Sequence, residues 1–268
     1  MELQQSLAKF KEQGLGVVAV SYDNPAILKH FADRMGITYP LLSDVDSKII
    51  NSFGILNTNL PEGHFLYGMP FPGTYIVDSK GTVTSKYFEQ WHRQRFTADT
   101  ILVKEFGLEG ALKTTVRTEH LTVKASASQN KIRPGNRISV VLNIELPDKM
   151  HIYAPGAEGY KIVSLNIQED PMLKIHDSEY PDAKIMYLEV IKERVPIYDS
   201  RVRISRDVTV SPGYRATNLT ISGEFNYQAC DDTICYLPVR VPLKLELEVQ
   251  PHDGNRAPVP IRNKPISP

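Results

Sequence analysis

Cysteine is scarce in this sequence. The 268-residue chain has two cysteines, Cys230 and Cys235, and none in the first 229 positions. Two cysteines cannot form the dense disulfide framework of a small secreted scaffold, and a chain of this length can bury enough core to fold without one. Because no second Cys or His pair stands at ligand spacing, the two thiolates cannot complete a tetrahedral zinc site. We therefore predict no metal site and no bound cofactor.

Charge imbalance and long apolar runs are missing as well. The 31 basic residues balance the 31 acidic ones, so no basic field exists to attract nucleic acid or an anionic membrane surface. No run of about 18 apolar residues occurs, and we expect no direct insertion into a membrane. The opening letters MELQQSLAKFKEQ fit an amphipathic helix rather than a signal peptide.

Residues 1 to about 110 alternate between helix and strand patterns, which is typical of an α/β fold. The apolar run GVVAVSYD predicts a strand buried on both faces of a sheet. Asn24 followed by Pro25 predicts a helix start, since Asn caps a helix and Pro suits its first position. A last helix is predicted from Ala98 to Leu112.

Residues 116 to 250 show about seven short runs with alternating apolar and polar residues, separated by turn signals such as Pro147-Asp148. This pattern is typical of an antiparallel β-sandwich. The predicted domains are therefore residues 1–113 and residues 116–250. Residues 251–268 are rich in proline and lack apolar periodicity, so we predict a disordered tail or linker.

The two cysteines lie in the segment YQACDDTICYLP, and their role has three possible readings. A structural staple closing about six residues would stabilise the fold by only about 2 kcal/mol. A metal site lacks further ligands. A disulfide across a tight turn is accessible and can open without unfolding the core, as exchanging disulfides do. The redox interpretation is favoured, although Asp231 and Asp232 would oppose thiolate formation by repulsion.

The first domain resembles the alkyl hydroperoxide reductase/thiol-specific antioxidant branch of the thioredoxin-like fold. The resemblance covers residues 1 to about 110 and is most specific in FPGTYIVDSKGTV, where it implies a cis peptide bond at Pro72. The family's reactive cysteines lie at a strand end and the start of the first helix. None is present here, so the resemblance implies a truncated thioredoxin-like domain without redox cysteines.

The second domain, with FNYQACDDTICYLPVRVPL, is similar to the N-terminal periplasmic domain of DsbD-type thiol:disulfide interchange proteins. That family has an immunoglobulin-like sandwich that carries electrons from a membrane-embedded reductase to periplasmic thiol proteins. The resemblance implies that Cys230 and Cys235 exchange, with Cys235 attacking and Cys230 resolving. It also implies that Tyr153 lines the pocket and that residues 176–180, with Glu179 and the covering Tyr180, form a cap loop.

This sequence departs from the family pattern at two points. Four residues separate the cysteines where five are usual, and Ser178 stands where an acidic residue is usual. Both departures bear on the cap and on acid–base assistance, so they leave the chemistry around the pair open.

The sequence thus predicts a thiol:disulfide oxidoreductase module that passes electrons between a reductant and extracytoplasmic thiol proteins, in a bacterial periplasm. Its expected partners are thiol/disulfide proteins, namely a membrane-embedded reductase or a thioredoxin-like protein. One alternative is a peroxiredoxin or thioredoxin-like antioxidant enzyme whose active cysteines lie upstream of Met1. Another is a non-catalytic immunoglobulin-like binding protein with a structural disulfide.

Overall fold

The fold consists of two compact units. A computed structural model of the chain describes residues 2–64, 66–188, 192–231 and 233–261. Within these residues, one unit comprises the chain up to residue 106 together with residues 252–261, and the other comprises residues 107–251. None of the helices in the described part is long and apolar enough to cross a membrane.

The first unit is an α/β structure with two small sheets. Its helices are α1 (Glu2–Gln5), α2 (Leu7–Glu12), α3 (Pro25–Met35), α4 (Lys48–Ser52) and α5 (Ala98–Phe106). Its strands are β1 (Ala19–Ser21), β2 (Leu41–Ser43), β3 (Gly73–Val77), β4 (Val83–Phe88) and β5 (Arg95–Phe96). Strands β1 and β2 pair in parallel, whereas β3 and β4 form an antiparallel hairpin.

Helix α3 begins and ends as its sequence predicts. The Asn24 side chain accepts hydrogen bonds from the N–H groups of Ala26 (2.9 Å) and Ile27 (3.0 Å), which satisfies free donors of the first turn. At the other end Gly36 takes a left-handed conformation with φ of 62°, which glycine adopts without steric cost.

The prediction that residues 16–23 are buried on both faces is wrong. Val18 is 56% exposed and Val20 is 40% exposed. Strand β1 has β2 as its one sheet neighbour within the described residues. An apolar run is covered on both faces only when neighbouring elements lie on both, so the run alone does not determine burial.

The prediction of a cis peptide bond at Pro72 is also wrong, since the described residues contain no cis peptide bond. Pro72 precedes β3, and its carbonyl accepts a hydrogen bond of 3.1 Å from the N–H of Glu89. The N–H of Phe71 donates to the carbonyl of Ile55 at 2.8 Å. The peptide bond before Pro72 is trans, the form that X-Pro bonds prefer.

The predicted domain boundary between residues 113 and 116 falls inside a strand of the second unit. Helix α5 ends at Phe106 rather than near residue 112, because Gly107 has a φ of 63° and stops the helix. Residues 112–117 then alternate between half-buried and exposed positions as part of the second unit's sheet. The α/β unit therefore ends earlier than its sequence pattern indicates.

The predicted disordered tail has an ordered part. Asp253 forms an ion pair of 2.7 Å with Arg34, and its carboxylate accepts a hydrogen bond of 3.0 Å from the N–H of Asn255. A short 3-10 turn follows at Val259–Ile261. The ion pair of Asp253 with Arg34 thus links this segment to the α/β unit. Residues 262–268 lie outside the described part.

The second unit is an antiparallel β-sandwich. Its strands are β6 (Leu112–Arg117), β7 (Thr122–Ala127), β8 (Lys131–Ile132), β9 (Asn136–Glu145), β10 (His151–Tyr153), β11 (Ser164–Ile167), β12 (Leu173–Glu179), β13 (Lys184–Leu188), β14 (Glu193–Tyr198), β15 (Arg201–Val210), β16 (Asn218–Tyr227), β17 (Ala229–Cys230) and β18 (Val239–Val249). One sheet has the order β12-β15-β9-β7-β6, a second has β11-β16-β18-β8, and a third has β13-β14-β10-β17.

The main core of the sandwich is formed by alternating apolar residues of these strands, among them the fully buried Ile138, Leu142 and Phe225. Strand β18 shows the pattern most clearly, with every second residue buried from Val241 to Val249. This period of two is what a sheet with one covered face requires. The predicted fold class, an α/β thioredoxin-like domain followed by an immunoglobulin-like antiparallel sandwich, is confirmed.

Candidate functional site

The two cysteines form a disulfide at the edge of the third sheet. Cys230 ends β17 and lies opposite His151 of β10, and the Cα atoms of Cys230 and Cys235 are 4.1 Å apart. The pair also forms an antiparallel bridge between its two main chains. The tight turn itself therefore places the two sulfurs side by side.

The hydrogen bonds on either side of this bridge define its type. The N–H of Asp231 donates to the carbonyl of Ile234 (2.9 Å), and the N–H of Tyr236 donates to the carbonyl of Ala229 (2.9 Å). Bonds before and after the facing residues mark a non-hydrogen-bonded pair, the closer of the two kinds of antiparallel pair. The cysteines thus occupy the position where cross-strand side chains approach most closely.

Asp231 builds the turn between the cysteines. Its carboxylate accepts hydrogen bonds from the N–H groups of Thr233 and Ile234 (2.7 Å each) and from the hydroxyls of Thr233 and Tyr236 (2.8 Å each). These donors, with the backbone of Thr233 first, hold the pKa of Asp231 well below its usual range. Asp231 therefore stays ionised and braces the turn, whereas Asp232 lies outside the described residues.

The two sulfur-bearing residues differ sharply in access to solvent. Cys230 is 1% exposed, whereas Cys235 is an exposed residue at the sheet edge. Accessibility largely decides which sulfur of a disulfide an incoming thiolate attacks. A partner molecule can therefore reach Cys235 far more easily than Cys230.

Tyr153 contacts both sulfurs from within the protein. Its hydroxyl lies 3.2 Å from Sγ of Cys230 and 3.3 Å from Sγ of Cys235. Neither sulfur of a disulfide carries a proton, so the tyrosine hydroxyl is the donor in these contacts. Burial, and secondarily the neighbouring Tyr160, raises the pKa of Tyr153. The hydroxyl therefore remains protonated over the neutral pH range.

A small apolar group, here called the cysteine cluster, encloses Cys230. Its buried members are Tyr153, Ala157, Val195, Ile197 and Cys230, and the half-buried Tyr160, Ile162 and Met186 pack against them. The cluster is separate from the main core of the sandwich. It keeps Cys230 and the Tyr153 ring away from water.

Residues 154–163 form the cover of the cysteine cluster. The Tyr160 ring stacks on the Tyr153 ring, with centroids 4.2 Å apart and planes inclined by 24°. Gly156 and Gly159 have φ values of 94° and 79°, which allows the chain to turn back on itself. The N–H of Val163 donates to the carbonyl of Tyr153 at 2.9 Å and closes the loop.

The segment predicted to be the cap loop, residues 176–180, is largely a strand in this structure. Residues 176–179 belong to β12, which pairs with β15, and the Ser205 hydroxyl donates to the Glu179 carboxylate at 3.2 Å. Tyr180 is half-buried against the main core. The segment up to Glu179 therefore forms a paired strand. The aromatic ring that stacks on Tyr153 at the cysteine site is that of Tyr160. The signal that could have found Tyr160 is its place after two closely spaced glycines that follow the HIYAP strand.

His176 has a structural environment within this strand. Its Nε2 lies 2.9 Å from the Thr209 hydroxyl, and its carbonyl accepts a hydrogen bond of 2.7 Å from Nε of Arg206. Burial, followed by the charges of Arg137 and Lys174, lowers the pKa of His176 to about 4. The ring is therefore neutral at pH 7.

Sequence reasoning also missed an aromatic support beside the cysteine turn. The ring of His120 lies 4.4 Å from the ring of Tyr236 and 6.4 Å from that of Tyr227. His120 is buried, and within the described residues its two ring nitrogens have no hydrogen-bond partner. The His120 ring thus packs against the Tyr236 ring and supports its position. The hydroxyl of Tyr236 donates to Asp231.

Comparison with protein families matches both parts of the chain. The AhpC/TSA family matches residues 1–86, and the family described as thiol:disulfide interchange protein DsbD, N-terminal, matches residues 117–246. The second match contains Cys230, Cys235, Tyr153 and Tyr160. Both resemblances drawn from the sequence are thus confirmed, and together they support a thiol–disulfide redox function.

Individual relatives match the first part of the chain. A Mycobacterium tuberculosis protein named as a peroxiredoxin is 33% identical over 82 residues, which are 31% of this chain and 52% of that protein. Chloroplastic peroxiredoxin Q of Gentiana triflora is 33% identical over 99 residues, or 37% and 42% of the two chains. Thiol-disulfide oxidoreductase ResA of Geobacillus thermodenitrificans is 27% identical over 75 residues, or 28% and 36%. The chain spans about half or less of the length of these relatives.

Two solved structures are similar to this chain. The N-terminal periplasmic domain of ScsB from Proteus mirabilis has a TM-score of 0.36 and 16% identity, covering 51% of this chain and 49% of that one. The DsbD N-terminal domain of Neisseria meningitidis in its reduced form has a TM-score of 0.30 and 14% identity, covering 42% and 82%.

Proposed function

Because the chain carries an AhpC/TSA domain at its N-terminus and a DsbD N-terminal domain over residues 117–246, we propose that it passes electrons between a reductant and extracytoplasmic thiol proteins through Cys230 and Cys235. The observation that carries the proposal is the arrangement of this pair, with one exposed cysteine, one buried cysteine and the hydroxyl of a buried tyrosine in contact with both sulfurs. Since residues 1–229 contain no cysteine, the thiol chemistry of this chain belongs to the sandwich.

Reduction of the disulfide starts at Cys235. A partner thiolate attacks Sγ of Cys235 in line with the Cys230–Cys235 bond, a new sulfur–sulfur bond forms to the partner, and the bonding electrons leave on Sγ of Cys230. A second thiolate of the partner then attacks its own sulfur in the mixed disulfide and releases Cys235. The partner leaves oxidised, and both cysteines of this chain are reduced.

Oxidation of the pair follows the reverse path. The Cys235 thiolate attacks a disulfide of a substrate protein and forms a mixed disulfide, and one substrate thiolate leaves. The Cys230 thiolate then attacks Sγ of Cys235, which restores the intramolecular disulfide and releases the second substrate thiolate. The turn braced by Asp231 keeps Cys230 next to Cys235 for this step.

Tyr153 assists both directions by hydrogen bonding. Whenever Cys230 carries negative charge, the Tyr153 hydroxyl is placed to donate to its sulfur. A hydrogen bond to a charged acceptor is stronger than one between neutral groups, so the contact stabilises Cys230 as a leaving thiolate. The raised pKa of Tyr153 keeps that donor available.

The partners we propose are thiol/disulfide proteins, with a membrane-embedded reductase or a thioredoxin-like protein as the electron donor, in a bacterial periplasm. A redox pair that cycles between oxidised and reduced states suits an oxidising compartment outside the cytoplasm. The match of residues 117–246 to the N-terminal domain family of thiol:disulfide interchange protein DsbD supports thiol/disulfide proteins as partners.

Single-cysteine variants of the full chain test the proposal. Cys230→Ser leaves Cys235 alone, and Cys235→Ser leaves Cys230 alone. We expect the Cys230→Ser protein to form a mixed disulfide with oxidised glutathione at least about tenfold faster than the Cys235→Ser protein, because Cys235 is an exposed residue and Cys230 is buried. Equal rates, or no exchange by either variant, would overturn the proposed role of Cys235.

A further inference from the structure

The main chain of Cys235 lies at the open edge of the third sheet. Strand β17 is the last strand in the order β13-β14-β10-β17, and the bridge to Cys235 extends this edge by one residue. On its inner side Cys230 lies opposite His151 of β10. Cys235 is therefore the outermost part of the sheet.

The direction of the polar groups of Cys235 follows from the type of bridge. Cys235 faces Cys230 in a non-hydrogen-bonded pair, and in such a pair the N–H and C=O groups of both residues point away from each other. Among the residues that the structure describes, neither the N–H nor the C=O of Cys235 has a hydrogen-bond partner. Both groups point outward, where an added strand would lie.

The side chains around this edge are exposed and apolar. Ile234, which directly precedes Cys235, is 56% exposed, and Leu237, two residues after Cys235, is 85% exposed. An exposed strand edge with apolar neighbours is a template for pairing with an extended segment of another molecule. The edge is also short, which suits a transient contact rather than a permanent one.

Disulfide geometry links this edge to the exchange reaction. In a mixed disulfide the two Cα atoms lie about 4.4–6.8 Å apart. Facing residues in a hydrogen-bonded antiparallel pair have Cα atoms about 5.5 Å apart. A partner cysteine bonded to Cys235 therefore brings its own main chain within pairing distance of the free N–H and C=O groups.

We propose that Cys235 presents a strand-addition site for an extended segment of a partner protein, the segment that carries the partner's exchanging cysteine. Its main chain pairs with the N–H and C=O of Cys235, and its apolar side chains contact Ile234 and Leu237. The inference rests on the proposed function and extends it, because it specifies that the partner segment is an extended strand during exchange. The sulfur chemistry is unchanged: the bond from Cys235 to the partner forms as the Cys230–Cys235 bond breaks, and Cys230 leaves as the thiolate.

The test uses the full chain with Cys230→Ala, so that Cys235 is the sole thiol, first joined to glutathione. A short apolar peptide with one cysteine displaces the glutathione, and the equilibrium constant is measured by mass spectrometry. Three further peptides carry one N-methyl group each, on the cysteine amide, on the following amide or, as a control, on a terminal amide. An N-methyl group removes one donor from the peptide main chain.

We expect one of the two central methylations to lower the equilibrium constant about 3- to 10-fold, as loss of one hydrogen bond does, and the terminal methylation to leave it unchanged. Loss at the cysteine amide indicates antiparallel addition, and loss at the following amide indicates parallel addition. Hydrogen exchange at the Cys235 amide should slow in the peptide adduct and not in the glutathione adduct.

Equal constants for all four peptides, with equal hydrogen exchange in both adducts, would overturn strand addition while leaving the proposed function intact. If instead the wild-type disulfide exchanges with neither glutathione nor peptide, the proposed function itself fails. Should Cys230→Ala prove unstable, the rate at which the same four peptides reduce the wild-type disulfide provides the same comparison.

Discussion

The sandwich and the α/β unit differ in how completely they bury their apolar strands. In the sandwich, Ile138 and Leu142 of β9 are inaccessible to solvent. In the α/β unit, Val20 of β1 is 40% exposed and Leu42 of β2 is 46% exposed. Burial of apolar area stabilises a fold in proportion to the area covered. The unit that carries the cysteines therefore has the more complete core, and the α/β unit presents apolar surface.

This difference bears on function. A disulfide that opens and closes during each cycle needs a frame that does not depend on the bond, and the main core of the sandwich provides one without including Cys230. Exposed apolar patches on a folded domain mark sites of interaction with other molecules. The contrast fits the proposal that the sandwich carries the thiol chemistry, while the α/β unit has the more exposed apolar side chains.

A matched pair of phenylalanines tests the contrast most strongly. Phe225 of the sandwich core is fully buried, whereas Phe53 of the α/β unit is 51% exposed. We expect Phe225→Ala to lower the free energy of unfolding by about 3–5 kcal/mol and Phe53→Ala to lower it by about 1 kcal/mol or less. Denaturant titration followed by circular dichroism and by fluorescence of the single tryptophan, Trp91, measures both. Equal losses for the two variants would contradict the contrast.

A second test concerns chemistry within the sandwich. Tyr153→Phe removes the hydroxyl that contacts both sulfurs and keeps the ring. We expect reduction of the disulfide by dithiothreitol, measured by stopped-flow mixing of the oxidised protein, to slow by about tenfold, because the leaving Cys230 thiolate loses a donor. Tyr160→Phe, which keeps the stacked ring and removes a hydroxyl that donates to Glu193 at 3.4 Å, is the control and should leave the rate unchanged. An unaltered rate for Tyr153→Phe would remove this tyrosine from the mechanism.

A third test uses the pH dependence of stability to probe the surroundings of His176 in the sandwich. The pKa of His176 is lowered to about 4 in the folded state, while an unfolded histidine has a pKa of about 6.5. Between these values the unfolded chain binds more protons, so stability falls as pH drops from about 6.5 to about 4 and then levels off. After allowance for solvent screening at this half-buried site, the loss is about 1–2 kcal/mol.

The control for this pH effect is His176→Asn, which has no titratable ring at that position. Its unfolding free energy should fall less over the same pH window than that of the wild type. Denaturant titrations at pH 7, 5.5 and 4 measure the difference. Parallel curves for the two proteins would show that His176 does not titrate as its surroundings imply.

The smallest expected effect distinguishes the observed cover from the cap that the sequence predicted. Tyr160→Ala uncovers Tyr153 and the cysteine cluster, so thiols should reduce the disulfide about two- to fivefold faster through better access. Tyr180→Ala, at the predicted cap, should leave the rate unchanged, since Tyr180 packs on the main core. The opposite order of effects would restore the cap at residues 176–180. Reduction by dithiothreitol, followed by thiol labelling, gives both rates.

The features that the sequence predicted correctly are those determined by residues close together in the chain. The alternating apolar residues of β18 predict a strand of the sandwich. The short spacing of the cysteines in YQACDDTICYLP predicts that the two lie close together across a tight turn. The Asn24 cap and Gly36 likewise set the ends of α3 through their own conformations. These features need no distant partner, and the structure contains each of them.

Features that depend on distant partners could not be predicted in this way. The stack of Tyr160 on Tyr153 depends on the path of residues 154–163, and the strand conformation of residues 176–179 depends on pairing with β15. Likewise, the exposure of Val20 depends on which elements lie over β1. In each case the residue type allows several environments, and long-range packing selects one.

The reduction potential of the Cys230–Cys235 pair tests the proposed function most directly. The full chain is equilibrated with thiol buffers of defined potential, and its free thiols are quantified. A working exchange pair should have a potential between about −270 and −120 mV, the range of thiol exchange proteins. A value below about −300 mV would identify a structural bridge and contradict the proposal that this pair carries electrons.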